Sequence, residues 1–190
     1  MDLFSYADLA VRLVNSAAPG RDGRDGLASA EAYRTLVADR PHLAGRVLPD
    51  DLEALRQLRD ELRLIFSAAV ARRDPEMAEG LNGLLARYPV HPHLVCHDGQ
   101  PWHLHLADSG SVADRHAAGA VAGLTAMVAE WGTGRLAVCA GIGCPRVSID
   151  RGPARGKRYC SETCASSANV RAFRLRGRSA GQRQASTAAS

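Results

Sequence analysis

The stretch CAGIGCPRVSIDRGPARGKRYCSETC, residues 139–164, contains four of the five cysteines in this 190-residue chain. They form two pairs with fifteen residues between them: Cys139 and Cys144, then Cys160 and Cys164. Two cysteine pairs separated by a loop of this length are the usual arrangement of a structural zinc site. The glycines on either side of Ile142 allow the backbone to turn tightly around a metal. We therefore predict one structural zinc per chain, with a coordination shell closed by these four thiolates.

The size of this segment also favours a metal. About forty residues with few large apolar side chains cannot hold a fold unaided, whereas structural zinc contributes roughly 10–16 kcal/mol in small finger peptides. Cys160 and Cys164 are four residues apart, so on a helix they would share one face, and a helix N-terminus favours the thiolate form. Paired disulfides, an iron–sulfur cluster and four unrelated thiols are the alternatives to zinc.

The start of the chain indicates a reducing compartment. Residues 1–6 (MDLFSY) lack the basic and apolar regions of a signal peptide, so we expect a cytoplasmic protein in which cysteines hold metal rather than form disulfides. No segment is apolar for long enough to span a bilayer, and no membrane partner is expected.

Charge is distributed unevenly along the chain. Residues 135–190 contain 11 of the 24 basic residues and 2 of the 20 acidic ones, which gives a net charge of +9. Residues 1–134 contain the other 13 basic and 18 acidic residues, which gives −5. An acidic body with a basic C-terminal end indicates that this end faces a polyanion.

DNA is the polyanion that we expect, because a helix pinned by zinc and lined with arginines can contact its phosphates. The candidate DNA-binding residues flank or follow the second cysteine pair: Arg151, Arg155, Lys157, Arg158, Arg171, Arg174, Arg176 and Arg178. The alternative is that these cations only offset the negative charge of a zinc bound by four thiolates, or form a solvated face.

The first two thirds of the chain predict a helical domain. Leucines of the segment 49–73 recur every three or four residues, as on the buried side of a helix. By periodicity and capping residues, helices are expected at Leu3–Ser16, Ser29–Asp39, Pro49–Arg73, Asp74–Arg87 and Ser111–Gly132. Between the last two, residues 90–106 alternate around Asp98-Gly99, which predicts a β-hairpin.

The predicted fold class is therefore α+β and mostly α. Residues 1–134 form a helical domain with a small hairpin, and residues 135–178 form a treble-clef-like or ribbon-like zinc module. Residues 179–190 are expected to form a disordered tail.

Five histidines lie in or beside the predicted hairpin: His91, His93, His97, His103 and His105. An ordinary half-exposed strand explains this alternation, with His103 and His105 facing solvent, and a ligand or metal site is the alternative. Cys96 is expected to be a small buried residue. No phosphate-binding loop, nucleophile elbow or paired-histidine helix motif occurs, so we expect a protein that is not an enzyme.

Three segments resemble one family, the CGNR zinc-finger proteins with an N-terminal ABATE domain. LAVRLVNS (residues 9–16) is similar to the opening of that domain, and LPDDLEALRQLRDELRLIF (residues 48–66) resembles its long helix. Residues 135–164 are similar to its zinc segment, except that the Gly-Asn-Arg signature after the last cysteine is replaced by Ala165, Ser166 and Ser167. The resemblance implies a stress-linked bacterial transcription regulator whose finger contacts DNA.

Together these features predict a DNA-binding transcription regulator. Its N-terminal domain would respond to a small-molecule or protein effector, while the zinc module presents a basic helix to DNA. The alternative function is an interaction adaptor, in which zinc only fastens the C-terminal module to the body. An enzyme using the histidines is a third hypothesis, which lacks a nucleophile–base pair to support it.

Overall fold

The computed structural model describes residues 3–17, 25–96, 102–107, 109–152 and 158–172. Its helices are α1 (Leu3–Asn15), α2 (Ala30–Leu36), α3 (Pro49–Val70), α4 (Asp74–Arg87), α5 (Val112–Trp131) and α6 (residues 162–172). Its strands are β1 (His93–Val95), β2 (His103–His105), β3 (Leu136–Val138) and β4 (Val147–Ile149). Short 3-10 helices occupy Pro41–Leu43 and Thr133–Arg135. The mostly α fold with a small hairpin and a four-cysteine module is confirmed.

The predicted helix starts are close to the observed ones, and two of the helix ends differ. The second helix ends at Leu36, three residues early. The third ends at Val70 because Arg72 adopts a left-handed conformation with φ of 60°. In this turn the N–H of Arg73 donates to the carbonyl of Ala68 at 2.9 Å, which satisfies an end carbonyl of α3. The arginine occupies a position that usually favours glycine, so periodicity alone placed the end too late.

α5 packs closely along α1 at the centre of the helical body. It begins with the predicted capping box, in which Ser111 Oγ accepts from the N–H of Asp114 and Asp114 Oδ2 accepts from the N–H of Ser111, both at 3.0 Å. Gly123 makes the close approach possible, because a Cβ there would collide with the backbone of Tyr6 and Ala7. The two backbones therefore meet where no side chain intervenes.

The hydrophobic core extends across the border between the predicted domains. Leucines and alanines from α1, α3, α4 and α5 form its centre, as the low aromatic content requires. Leu136 of β3 and Val147 and Ile149 of β4 belong to the same buried cluster. The strands of the zinc segment thus pack against α1 and α3 and share their core.

The hairpin corrects two of the predictions. β1 and β2 are antiparallel, with His93 opposite His105 and Val95 opposite His103. His105 was expected to face solvent, but it is only 7% exposed and stacks on His42 with ring centroids 4.6 Å apart. Strand alternation alone could not show that the 3-10 helix at residues 41–43 covers this position. Cys96, expected to be buried, is exposed; His97 and the side chain of His103 lie outside the described residues.

Candidate metal centre and basic surface

The four predicted cysteines come together at one point. Their Sγ atoms all lie within 4.8 Å of one another. The Sγ of Cys160 lies 3.7 Å from the Sγ of Cys144 and 3.7 Å from that of Cys164. A tetrahedral zinc with Zn–S bonds of about 2.3 Å requires sulfur separations of about 3.8 Å. The donor set and its spacing therefore fit zinc. In the described part of the chain this is the one cluster of potential metal ligands.

The loop inside the first cysteine pair has the tight geometry that its glycines suggested. The N–H of Cys144 donates to the carbonyl of Gly141 at 3.1 Å, and Gly143 has a φ of 67°. A Cβ on Gly141 would lie 3.1 Å from the Sγ of Cys164 and 3.3 Å from that of Cys139. Glycine at this position leaves the space in which the sulfurs converge.

The thiols need a cation between them. Burial raises the pKa of Cys139, but N–H groups of Cys160 and Gly141, each 3.3 Å from its Sγ, bring the pKa down to about 7. Burial and the neighbouring thiols raise the pKa of Cys160 to about 12. Four thiolates repel one another when nothing lies between them, and a divalent cation removes that repulsion. The Sγ of Cys139 is thus the sulfur favoured as a thiolate, and a bound metal would favour the thiolate form of the whole cluster.

Helix α6 starts at the metal centre. Ser161 precedes it, and its Oγ accepts from the N–H of Cys164 at 3.2 Å, as at a helix N-cap. Cys164, Ala165 and Ala168 are half-buried, whereas most other residues of 162–172 are exposed. One narrow side of α6 therefore faces the zinc module, and the rest projects from it.

The comparisons with known proteins agree with this architecture. Residues 7–134 match the family model ABATE, described as "Putative stress-induced transcription regulator". Residues 135–177 match the CGNR zinc finger. The chain belongs to the ABATE family. The suspected membership and the prediction of one structural zinc are thereby confirmed. None of the curated proteins compared with the chain matches it.

The ABATE and CGNR segments are joined by polar contacts that sequence reasoning missed. Asn15, the last residue of α1, donates from Nδ2 to the carbonyl of Val147 at 2.9 Å and accepts from its N–H at 2.8 Å. Arg63 of α3 donates to the carbonyls of Pro145 at 2.8 Å and Val14 at 2.7 Å. Asn15 lies in the LAVRLVNS segment that carried the family resemblance, and that resemblance was the one feature of the sequence that pointed to this residue.

Three of the predicted DNA-binding residues lie in the described part of the finger. Arg151, Arg158 and Arg171 are all exposed, and the guanidinium of Arg158 lies 5.8 Å from the ring centroid of Tyr159. The other predicted contacts lie outside the described residues: Arg155, Lys157, Arg174, Arg176 and Arg178. The replaced signature falls on α6, where Ser166 and Ser167 are exposed. These serines therefore leave uncharged the surface where the CGNR signature has an arginine.

Proposed function

We propose that this chain is a non-enzymatic, DNA-binding transcription regulator of the cytoplasm. Its CGNR finger presents basic side chains to DNA phosphates, while the ABATE part receives an effector. The observation that carries the proposal is the position of the charge: the +9 segment is the one that the zinc cluster anchors. The family description, a transcription regulator, supports the same function.

The exposed arginines support phosphate contact rather than neutralisation of the metal centre alone. Arg171 stands seven residues beyond Cys164 on a helix that rises about 1.5 Å per residue, so its Cα is about 10 Å along the axis from the last cysteine. About 10 Å is one Debye length at 0.1 M salt, so salt reduces the field of the thiolates at that distance by roughly threefold. The side chain of Arg171 is therefore available to a ligand in solvent.

We propose a modest affinity for DNA. An arginine is missing from the signature position because Ser167 stands there. Without it the finger has fewer phosphate contacts, and affinity is expected near the non-specific range of about 10⁻⁴–10⁻⁶ M at physiological salt.

The docking of the finger favours one second candidate, the adaptor. Asn15 and Arg63 hold the CGNR segment against the ABATE helices, and Val147 and Ile149 are buried in the shared core. In this alternative, zinc completes the fold of a single body, and the basic residues contact another protein or solvent. DNA binding separates the two candidates.

The test is a fluorescence-anisotropy titration with duplex DNA at several salt concentrations. Each phosphate contact contributes a slope of about −0.9 in log affinity against log salt. The triple variant Arg151→Ala, Arg158→Ala, Arg171→Ala should therefore have a slope that is shallower by about 2–3. Its control removes three exposed arginines of the ABATE part, with Arg34→Ala, Arg46→Ala and Arg87→Ala.

The control variant removes the same net charge, so it should keep the wild-type slope if the contacts are local to the finger. Equal slopes for both triple variants would show a general charge effect and would leave the adaptor as the better account. Absence of binding by the zinc-loaded wild type at low salt would also refute DNA binding.

A further inference from the structure

A cleft of about 650 Å³ lies between the ABATE helix α1 and the CGNR finger. Asp8, Val11 and Asn15 of α1 form one wall, and β4 forms the floor. The opposite wall contains three cysteines of the metal centre, Cys144, Cys160 and Cys164, together with Ser161 and Thr163, so the cleft borders the zinc site. Clefts that bind small molecules usually have volumes of about 300–1,000 Å³ and often lie where two structural units meet. The size and the position both suit a small ligand.

The floor of the cleft contains an open strand edge. On one side of β4, the N–H of Cys139 donates to the carbonyl of Arg146, and the N–H of Asp150 donates to the carbonyl of Arg135. With the observed register, the backbone groups of residues 146, 148 and 150 therefore face β3. The N–H and C=O groups of Val147 and Ile149 therefore point to the other edge, toward α1. At Val147 both groups are taken by the carboxamide of Asn15.

Ile149 presents the same pair of groups two residues further along. Among the described residues, no hydrogen bond reaches its N–H or C=O on this edge. Ile149 also lines the cleft. The chain itself shows at Val147 what such a position binds: a primary carboxamide, with one donor and one acceptor side by side.

Arg146 supplies a charge beside this edge. Its side chain lines the cleft, is half-buried, and has no hydrogen-bond or ion-pair partner in the described part of the chain. Ser148, Val11 and a second arginine, Arg151, line the same space. The carboxylate of Asp8 also lines it but is paired with Arg12 at 2.6 Å. A guanidinium in a half-buried site favours a carboxylate or another planar anion.

We infer that this cleft binds a small molecule that carries both a carboxamide-like edge and an acidic group. The amide edge pairs with the N–H and C=O of Ile149, as Asn15 pairs with Val147, and the acidic group binds Arg146. The site is made of both parts of the chain, because β4 belongs to the CGNR segment and the facing wall belongs to α1. The inference rests on the proposed function, in which the ABATE part receives an effector, and it gives that effector a location and a chemical class.

The test uses succinamate, which has one carboxamide and one carboxylate, as the probe. The two control compounds are succinate, which lacks the amide, and butyramide, which lacks the acid. Binding to the zinc-loaded full chain is followed by the amide resonances of 15N-labelled protein. Succinamate should shift the amide resonance of Ile149. It should also bind at least about tenfold more tightly than either control compound, since one hydrogen bond to a charged group contributes about 1.5–3 kcal/mol.

Arg146→Gln should reduce the affinity for succinamate to that for butyramide, whereas Arg46→Gln, at an exposed position of the ABATE part, should leave it unchanged. The amide spectrum and the zinc content of both variants show whether they remain folded. An unmoved Ile149 resonance, or equal affinity in Arg146→Gln and wild type, would overturn the inference and leave Arg146 as a counter-charge to the zinc thiolates. Because no DNA is present, this outcome is separate from the test of DNA binding.

Discussion

Replacing Asn15 with alanine tests how the CGNR finger is held to the ABATE part. The change removes both hydrogen bonds to Val147, which measure 2.9 and 2.8 Å. It leaves the N–H and the C=O of Val147, a buried residue, without partners. Each such group costs about 1–3 kcal/mol, and water entering from the cleft should keep the cost near the lower limit. Alanine recovers a few tenths of a kcal/mol as a better helix former. The free energy of unfolding should fall by about 2 kcal/mol.

Urea denaturation of the zinc-loaded protein measures this loss. Hydrogen exchange localises it, because the Val147 amide should exchange faster by roughly tenfold or more if its protection depends on Asn15. The matched control is Asn82→Ala at an exposed position in α4, which should be neutral or slightly stabilising. If Asn15→Ala changed stability no more than Asn82→Ala and left the Val147 amide protected, the docking by Asn15 would be refuted.

Other substitutions test the metal, the helix packing and a buried histidine. Cys164→Ser should lose the zinc, as measured by metal analysis, and should also destabilise the ABATE helices because β3 and β4 share their core. The control variant Cys96→Ser should keep full zinc, and full zinc in both variants would contradict the assigned site. Gly123→Ala should lower the free energy of unfolding by about 2–3 kcal/mol, because the added Cβ meets the backbone of α1. Gly83→Ala, whose Cβ would have nothing within 4 Å, should raise it by up to about 1 kcal/mol, and thermal or urea unfolding measures both. Burial lowers the pKa of His116 to about 4 from 6.5, so the unfolded chain binds the proton first and stability is lost as pH falls from about 7 to 4. Between pH 7 and 5 this loss of unfolding free energy should be about 2 kcal/mol in wild type and absent in His116→Gln. If urea denaturation showed the same change in stability between the two pH values for both proteins, the role of His116 would be excluded.

The sequence predicted most of the local structure because that structure depends on local rules. Helix periodicity placed α1, α3, α4 and α5, and the Ser111 capping box is present as expected. The cysteine spacing predicted a cluster whose four sulfurs do meet. Glycine at 141 was expected for backbone freedom, and the structure adds a steric reason, the nearness of two sulfurs.

What the sequence could not predict depends on which distant segments meet. Asn15 and Val147 are 132 residues apart, and a polar side chain that binds a backbone leaves no periodic signal. The burial of His105 similarly depends on His42, more than sixty residues earlier. The early end of α3 depends on a left-handed arginine, a conformation that residue identity does not favour.

If the proposed ligand occupies the cleft, its binding is linked to the attachment of the finger. A ligand that contacts α1 and β4 together binds only while those elements stay packed, so it stabilises the docked finger by RT ln(1 + [L]/Kd). At a ligand concentration of one hundred times Kd this amounts to about 2.7 kcal/mol, which is comparable to the expected loss in Asn15→Ala. A ligand can change DNA affinity only if DNA distinguishes the docked finger from the released one. Saturating succinamate should therefore slow the exchange of the Val147 amide in wild type and restore much of the protection lost in Asn15→Ala. Hydrogen exchange that is insensitive to succinamate in both proteins would show that the cleft and the docking contacts are independent.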